Sequence, residues 1–251
     1  MELSGLNKRP ALTAYHFFWN AVDWVFPPRC GGCGQVGERW CSQCQGQVTR
    51  LTEACCHVCG NPLPQPGLCK NCQTTPPTFT ALRSWCKYED PARKAIHQLK
   101  YQRDIGLADA LAVSLVSMID DLQWKPGVVV SVPISPARLR QRGYNQASLL
   151  ALPVALAIGA PFRPSFLVRA RETASQVGLS AADRRQNVSG AFRAGPVRSL
   201  NVLVVDDVIT TGSTMNACAQ ALLAAGASAV YGISFARAVL PDHLVPSDPI
   251  S

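Results

Sequence analysis

The chain has 251 residues, 47% hydrophobic and 16% charged, which describes a globular protein with a real core and excludes a disordered or fibrous chain. Its formal net charge of +8 and pI near 9.1 favour anionic ligands (phosphates, pyrophosphate, nucleic acid) without choosing among them. Eleven cysteines would suggest disulfides in a small secreted protein, but nine of them lie between Cys30 and Cys72, mostly as C-x-x-C pairs. In a reducing compartment that spacing reads as metal.

In chain order, residues 1–10 read as a lead-in, and Ala11 to Phe26 as a short amphipathic helix with Leu12, Tyr15, Phe18 or Trp19, and Val22 at helical spacing. His16, Asn20 and Asp23 make it too polar, and it is too short, to span a bilayer. No small-residue cleavage site follows, so the expected location is the cytoplasm. The expectation is a helix packed on the protein rather than lying on a membrane.

Pro27 and Pro28 stop the helix, and Cys30/Cys33, Cys41/Cys44, Cys56/Cys59 and Cys69/Cys72 follow. Each C-x-x-C knuckle presents two thiolates to one ion, so the four predict two tetrahedral structural zinc sites. Consecutive pairing gives two small ribbons, and a cross-braced arrangement is the alternative. Cys55 is spare, and His57 enters only if a knuckle is distorted. The proline-rich stretch 62–77 reads as a linker, so the ribbons are expected to contribute nothing to the core beyond it.

Next come a strand over Ala81 to Tyr88 and a helix begun by Asp90-Pro91. That helix is expected to turn Ile96 and Leu99 inward and Arg93, Lys94 and Lys100 outward. An apolar helix (Leu107 to Ile119), a buried strand (Gly127 to Val132), a segment carrying Arg138, Arg140 and Arg142, and a second apolar helix (Ala147 to Ile158) follow. Arginines just beyond a strand's carboxyl end would repel one another unless an anion joins them; the alternative is a solvated basic loop. Leu167 to Phe192 is polar, arginine-rich and without clear period, which suits a hood or lid.

The organising stretch is Asn201 to Thr214. Val202 to Val205 is a strand buried on both faces, as in parallel sheets, ending in Asp206 and Asp207. A loop of small hydroxyl residues around Gly212 leads into a helix from Ser213, with Gly226 at its C′ position, and the strand-like run Ala229 to Phe235 completes a β-α-β unit. Ligands of open α/β sheets bind beyond the carboxyl ends of the strands. There a helix N-terminus with Thr210, Thr211, Ser213 and Thr214 suits a phosphate monoester, and the two acids suit a diol, magnesium, or both. No G-x-x-x-x-G-K-[ST] occurs, which removes a P-loop.

A hydrophobic strand, two acids and a T-T-G-x-T loop resemble the phosphoribosyl pyrophosphate (PRPP) motif of type I phosphoribosyltransferases. P-V-P-x-x-x-x-R-x-x-x-R-G-[FY]-N-Q, R-x-R-x-T-x-x-Q and L-S-x-x-x-R-x-x-N-V-x-G-A-F behind a cysteine block narrow the resemblance to the ComF family, with GntX-like proteins. It covers about Phe26 to Arg237, with Ser131 in place of the usual Pro and Tyr144 in place of the commoner Phe. The resemblance implies a parallel α/β sheet with helices on both faces (type I phosphoribosyltransferase-like) plus a small N-terminal zinc-ribbon domain. Its expected divisions are a lead and helix at 1–28, a double zinc ribbon at 29–76, the α/β domain at 77–240 and a tail at 241–251. It implies ribose hydroxyls on Asp206 and Asp207, the 5′-phosphate on Thr210, Thr211, Gly212, Ser213 and Thr214, and magnesium with PRPP. Arg138, Arg142, Lys100 and Arg169 would neutralise pyrophosphate, and Arg184 and Asn187 would belong to the hood over an unidentified acceptor. The family is associated with natural competence, so single-stranded DNA and competence-machinery proteins are expected partners. An enzyme and a non-catalytic module that kept the fold are both open.

Overall fold

The computed structural model describes residues 10–51, 54–171 and 190–239. The lead-in 1–9, the tail from 240, and Arg184 and Asn187 of the expected hood lie outside the described residues.

Four parallel strands make the sheet, β1 (Ala81–Lys87), β2 (Val128–Ser131), β5 (Asn201–Ile209) and β6 (Ala229–Arg237), in the order β1-β6-β5-β2. β-branched and apolar runs without polar alternation form such strands because both faces are covered. On one face, Val129, Leu203, Val205, Ile233 and Phe235 pack against α4 (Ala92–Tyr101), α5 (Leu107–Leu122) and α7 (Gln146–Ile158). On the other, Val128, Val130, Val202, Val204 and Val230 pack against α8 (Ser213–Ala224) and the second cysteine module. A hairpin of β3 (Leu167–Arg169) and β4 (Phe192–Ala194) flanks α8. The expected hood thus begins and ends in paired strands, and its middle lies outside the described residues.

The remaining helices are short or peripheral: α1 (Pro10–Val25), α2 (Ser42–Gln47), α3 (Lys70–Thr74) and α6 (Pro136–Arg142). Leu12 buries the inner face of α1. His16 meets Asp109 at 3.1 Å, and Arg39 bridges Asp23 and Asp104 while its guanidinium lies 5.0 Å from the centre of the Trp19 ring.

The ribbons are not independent of the sheet, contrary to the expectation from the proline linker. Trp40, Cys44 and Val48 share one core with Trp85 and Phe235, and Cys56, Cys59 and Cys72 share the other with Phe79 and Leu82. Residues 49–51 also pair with the β1 edge, where Leu51 N–H donates to Trp85 O (3.1 Å) and Lys87 N–H to Thr49 O (2.9 Å). An unpaired edge strand invites association, so this module both staples itself and covers the edge. Gly60 permits the fit: its φ is +67°, and a Cβ there would stand 2.4 Å from Leu82 O.

Candidate functional site

The β5 strand runs through Ile209, past the point where two acids were expected to end it, because Asp206, Val208 and Ile209 pair with Ser234, Ala236 and Arg237 of β6. Strand alternation then sends the two carboxyls to opposite faces. Asp207 follows Leu203 and Val205 toward α4 and α7, where it is buried and ion-paired with Lys100, and accepts from Gln146 Nε2 at 3.3 Å. Lys100 is thus turned inward, not outward. It follows Leu99 by one residue and Ile96 by four, at the border of the apolar stripe, and its stem is covered while its ammonium reaches Asp207.

Asp206 follows Val202 and Val204 to the α8 face and accepts from the Asp207 backbone N–H at 2.9 Å. Burial, and then the neighbouring Asp207 carboxylate, push the Asp206 carboxyl well above the usual carboxylate range. Asp207 moves the other way: burial raises it, but the Lys100 ammonium outweighs burial and holds it low. The buried Cys218 thiol of α8 is pushed well up by burial and then by Asp206, with Arg169 acting against them, which brings Asp206 and Arg169 to the same side.

Thr210 to Gly212 turn from β5 into α8. Gly212 adopts φ +81°, the left-handed conformation that glycine takes at no steric cost. Thr211 Oγ1 accepts from Ser213 N–H at 3.3 Å and shares a 2.8 Å hydrogen bond with Ser213 Oγ, so these hydroxyls are held at the start of the helix. Thr214 lies in the first turn, where backbone N–H groups have no acceptor within the helix.

The arginines distribute unevenly. Arg142 donates to Gln146 Oε1 at 2.9 Å and its guanidinium lies 5.0 Å from the centre of the Tyr101 ring, so Arg142, Gln146, Asp207 and Lys100 form one chain of contacts. Arg138 and Arg140 are exposed on α6 and make no ion pair among the described residues. Arg169, on β3, lies 5.7 Å from the Phe192 ring centre. Gln146 and Tyr101 were not singled out as candidates from the sequence. Gln146 was visible only as the last residue of G-Y-N-Q, and Tyr101 gave no signal beyond its place eight residues after Arg93.

The cysteines meet in the consecutive pairing. Cys30, Cys33, Cys41 and Cys44 form one cluster and Cys56, Cys59, Cys69 and Cys72 the other, each with its sulfurs within 4.8 Å of one another. Four thiolates about 2.3 Å from a zinc ion stand about 3.8 Å apart. Cys33 and Cys41 are 3.8 Å apart and Cys59 and Cys69 3.7 Å, so both clusters fit zinc. Although burial raises it, backbone N–H donors from Cys41, Cys33 and Gly32 bring the Cys30 thiol down to about 6. Burial and the neighbouring thiols drive Cys44 and Cys72 up, so a shared dication is what lets all four sulfurs of a cluster ionise together. Cys55 stays outside both clusters.

A parallel sheet carrying a strand, two acids, a hydroxyl loop and a helix N-terminus, joined to paired four-cysteine modules, defines a phosphoribosyltransferase-like protein with a double zinc ribbon. Residues 21–73 match the double zinc ribbon domain model. The chain is 38% identical over 197 residues to the DNA utilization protein YhgH of Salmonella typhimurium, covering 76% of this chain and 86% of that protein. It is 33% identical over 208 residues to competence protein F of Haemophilus influenzae, covering 79% and 90%. The chain belongs to the ComF family. Solved structures with a partial likeness include a glutamine PRPP amidotransferase from B. subtilis (TM-score 0.38, 22% identity, 54% of this chain and 30% of that one). Another is the adenine phosphoribosyl transferase from Trypanosoma brucei (TM-score 0.36, 15% identity, 66% and 87%). Among the described residues, no helix is long and apolar enough to cross a membrane.

Proposed function

We propose that the protein binds PRPP with magnesium at the C-terminal rim of β5 and transfers its phosphoribosyl group, in a process of DNA uptake or use. The observation that carries this reading is the loop Thr210 to Gly212 entering α8, with Thr211 and Ser213 fixed beside a helix N-terminus and Asp206 four residues before the loop's first threonine. The 5′-phosphate takes the loop and the first turn of α8. Asp206 faces the ribose hydroxyls, and its raised carboxyl fits a nearby cation, which would favour the ionised form. Magnesium would be held beside Asp206 and would supply positive charge that offsets the charge on pyrophosphate.

Asp207 has a different role from its neighbour. Its carboxylate is committed to Lys100 and Gln146, so it orients these groups at the rim, and Lys100 reaches pyrophosphate only by leaving Asp207. Arg138, at the exposed first turns of α6, and Arg142 are better placed to receive the leaving group. In the transfer, the bond from C1 to the pyrophosphate oxygen breaks with its electron pair leaving on pyrophosphate. The acceptor's lone pair forms the new bond to C1, and its proton passes to solvent. Positioning and charge stabilisation supply most of the rate. The domain divisions at 28, 76 and 240 stand with this reading, the ribbons acting as a support for the sheet edge.

The test is incubation with PRPP, magnesium and a panel of bases with pyrophosphate release as the readout, together with thermal unfolding. PRPP at 100 times its dissociation constant raises stability by about 2.7 kcal/mol. An unchanged melting curve at saturating PRPP and magnesium sinks the site. Binding without pyrophosphate release for any base leaves a PRPP-binding module.

One observation favours a second reading, a nucleic-acid-binding surface. Arg93, His97 and Tyr101 recur every four residues along α4, with His97 and Tyr101 rings 4.7 Å apart and Arg142 against Tyr101. Exposed aromatic rings beside Arg142, which makes no ion pair among the described residues, suit the bases and phosphates of single-stranded DNA, and the printed names of the relatives speak of DNA utilization and competence. Tyr101→Ala should weaken binding of a single-stranded oligonucleotide by about 1–3 kcal/mol. Equal affinity of variant and wild type rejects this surface.

A further inference from the structure

The two cysteine clusters differ in their surroundings. In the first, Cys33 is exposed and Cys41 half-buried, so water reaches the sulfurs. In the second, Cys56, Cys59 and Cys72 are buried and Cys69 is half-buried. Four thiolates leave a zinc centre with two negative charges in excess. Solvent can screen that excess at the first cluster but hardly at the second, where an enclosed charge needs a partner within the protein.

Arg237 is in place to be that partner. It closes the last strand of the sheet and is 3% exposed. Its Nη1 donates to Cys59 O at 2.9 Å, and its Nε has no hydrogen-bond partner. Among the described residues no carboxylate pairs with it, and the carbonyl it holds belongs to Cys59, one of the four cysteines of the second cluster. A guanidinium enclosed without a carboxylate is unfavourable unless some other anion neutralises it. Its backbone cannot drift from this place. Arg237 is in register with Lys87 of β1 and Ile209 of β5, and its carbonyl accepts from Tyr88 N–H at 2.7 Å.

We infer that Arg237 is a positioning residue for the second metal centre: its guanidinium is the buried counter-charge of the four thiolates and ties that centre to the end of the sheet. The first centre, with Cys33 exposed, is screened by water instead. The assignment goes beyond the PRPP reading and does not depend on it, because Arg237 makes none of the proposed ligand contacts.

The experiment uses the full chain loaded with cadmium, whose NMR spectrum gives one resonance per centre, assigned with Cys44→Ser, which disturbs the first. Release to a chelator is followed for both resonances in wild type, Arg237→Met and Arg237→Lys. Loss of a partner around a metal's ligands costs about 10–100-fold in metal affinity. Arg237→Met should therefore weaken the second centre by that factor and shift its resonance, with the first unchanged, and Arg237→Lys should restore most of the retention by restoring charge. If Arg237→Met does not fold, Arg237→Gln against Arg237→Lys carries the same comparison. Equal release from the second centre in the charged and uncharged variants overturns the inference, as does equal weakening of both centres.

Discussion

Asp206 and Asp207 are neighbours in sequence, yet replacing either by asparagine should change stability in opposite directions. Asp207 is 4% exposed and its partner Lys100 20% exposed in their side chains. Removing one partner of a buried ion pair costs about 3–5 kcal/mol. Water reaches one-fifth of the Lys100 side chain, so the lower end applies, about 3 kcal/mol. At about 2–4 °C per kcal/mol for a chain of this size, Asp207→Asn lowers Tm by about 6–12 °C. Asp206→Asn removes a carboxyl that burial already disfavours in its charged form, so Tm stays level or rises. Adding Lys100→Met to Asp207→Asn should recover most of the loss, since neither charge then remains. The pH dependence separates the two acids again. The folded pKa of Asp207 is depressed, so its contribution is present above the unfolded value of about 3.9 and is lost as pH falls through the folded value. That of Asp206 is raised, so the folded state loses stability as pH climbs from about 3.9 to the raised value, and Asp206→Asn abolishes that decline. Thermal unfolding of the three variants across acid to neutral pH is the assay. Shifts of the same sign for Asp206→Asn and Asp207→Asn would refute the opposed placement of the two carboxyls.

Metal analysis should return two zinc ions per chain, one for each four-cysteine cluster. Cys41→Ser should lower occupancy of the first and also destabilise the sheet, because Trp40, Cys44 and Val48 share its core; a variant as stable as wild type, by chemical unfolding, would contradict that packing. Gly60→Ala places a methyl 2.4 Å from Leu82 O at a positive φ, so we expect a loss of more than about 1 kcal/mol, read as a lower unfolding midpoint. Thr211→Ala with Ser213→Ala should reduce the PRPP-induced rise in Tm. It should also cost the free protein about 1 kcal/mol, because Thr211 Oγ1 accepts from Ser213 N–H at the helix start. A full ligand shift in that double variant would remove the loop from the phosphate site.

What the sequence by itself determined is what contiguous residues can build. Thr210 to Thr214 must adjoin a strand and a helix to present N–H and hydroxyl groups together, so the phosphate loop is legible as a string. Each C-x-x-C pair is likewise a local hairpin with two sulfurs, and consecutive pairing was the simpler of the two readings. The runs Val202 to Val205 and Ala229 to Phe235 announced a parallel sheet because strands covered on both faces lack polar alternation. Tertiary structure alone decided which charges meet. Lys100 sits at the border of the α4 stripe, and only the presence of Asp207 across the interface turns it inward. The proline-rich stretch concealed that residues 49–51 pair with β1, since edge pairing depends on which strand is left uncovered, not on the linker's composition. Arg237 ends an apolar strand with nothing in its own neighbourhood to neutralise it. Its counterpart lies in residues 56–72, brought beside it by the packing of the second ribbon on β1 and β6. Long-range electrostatic partners are fixed by packing, and packing is a property of the whole chain.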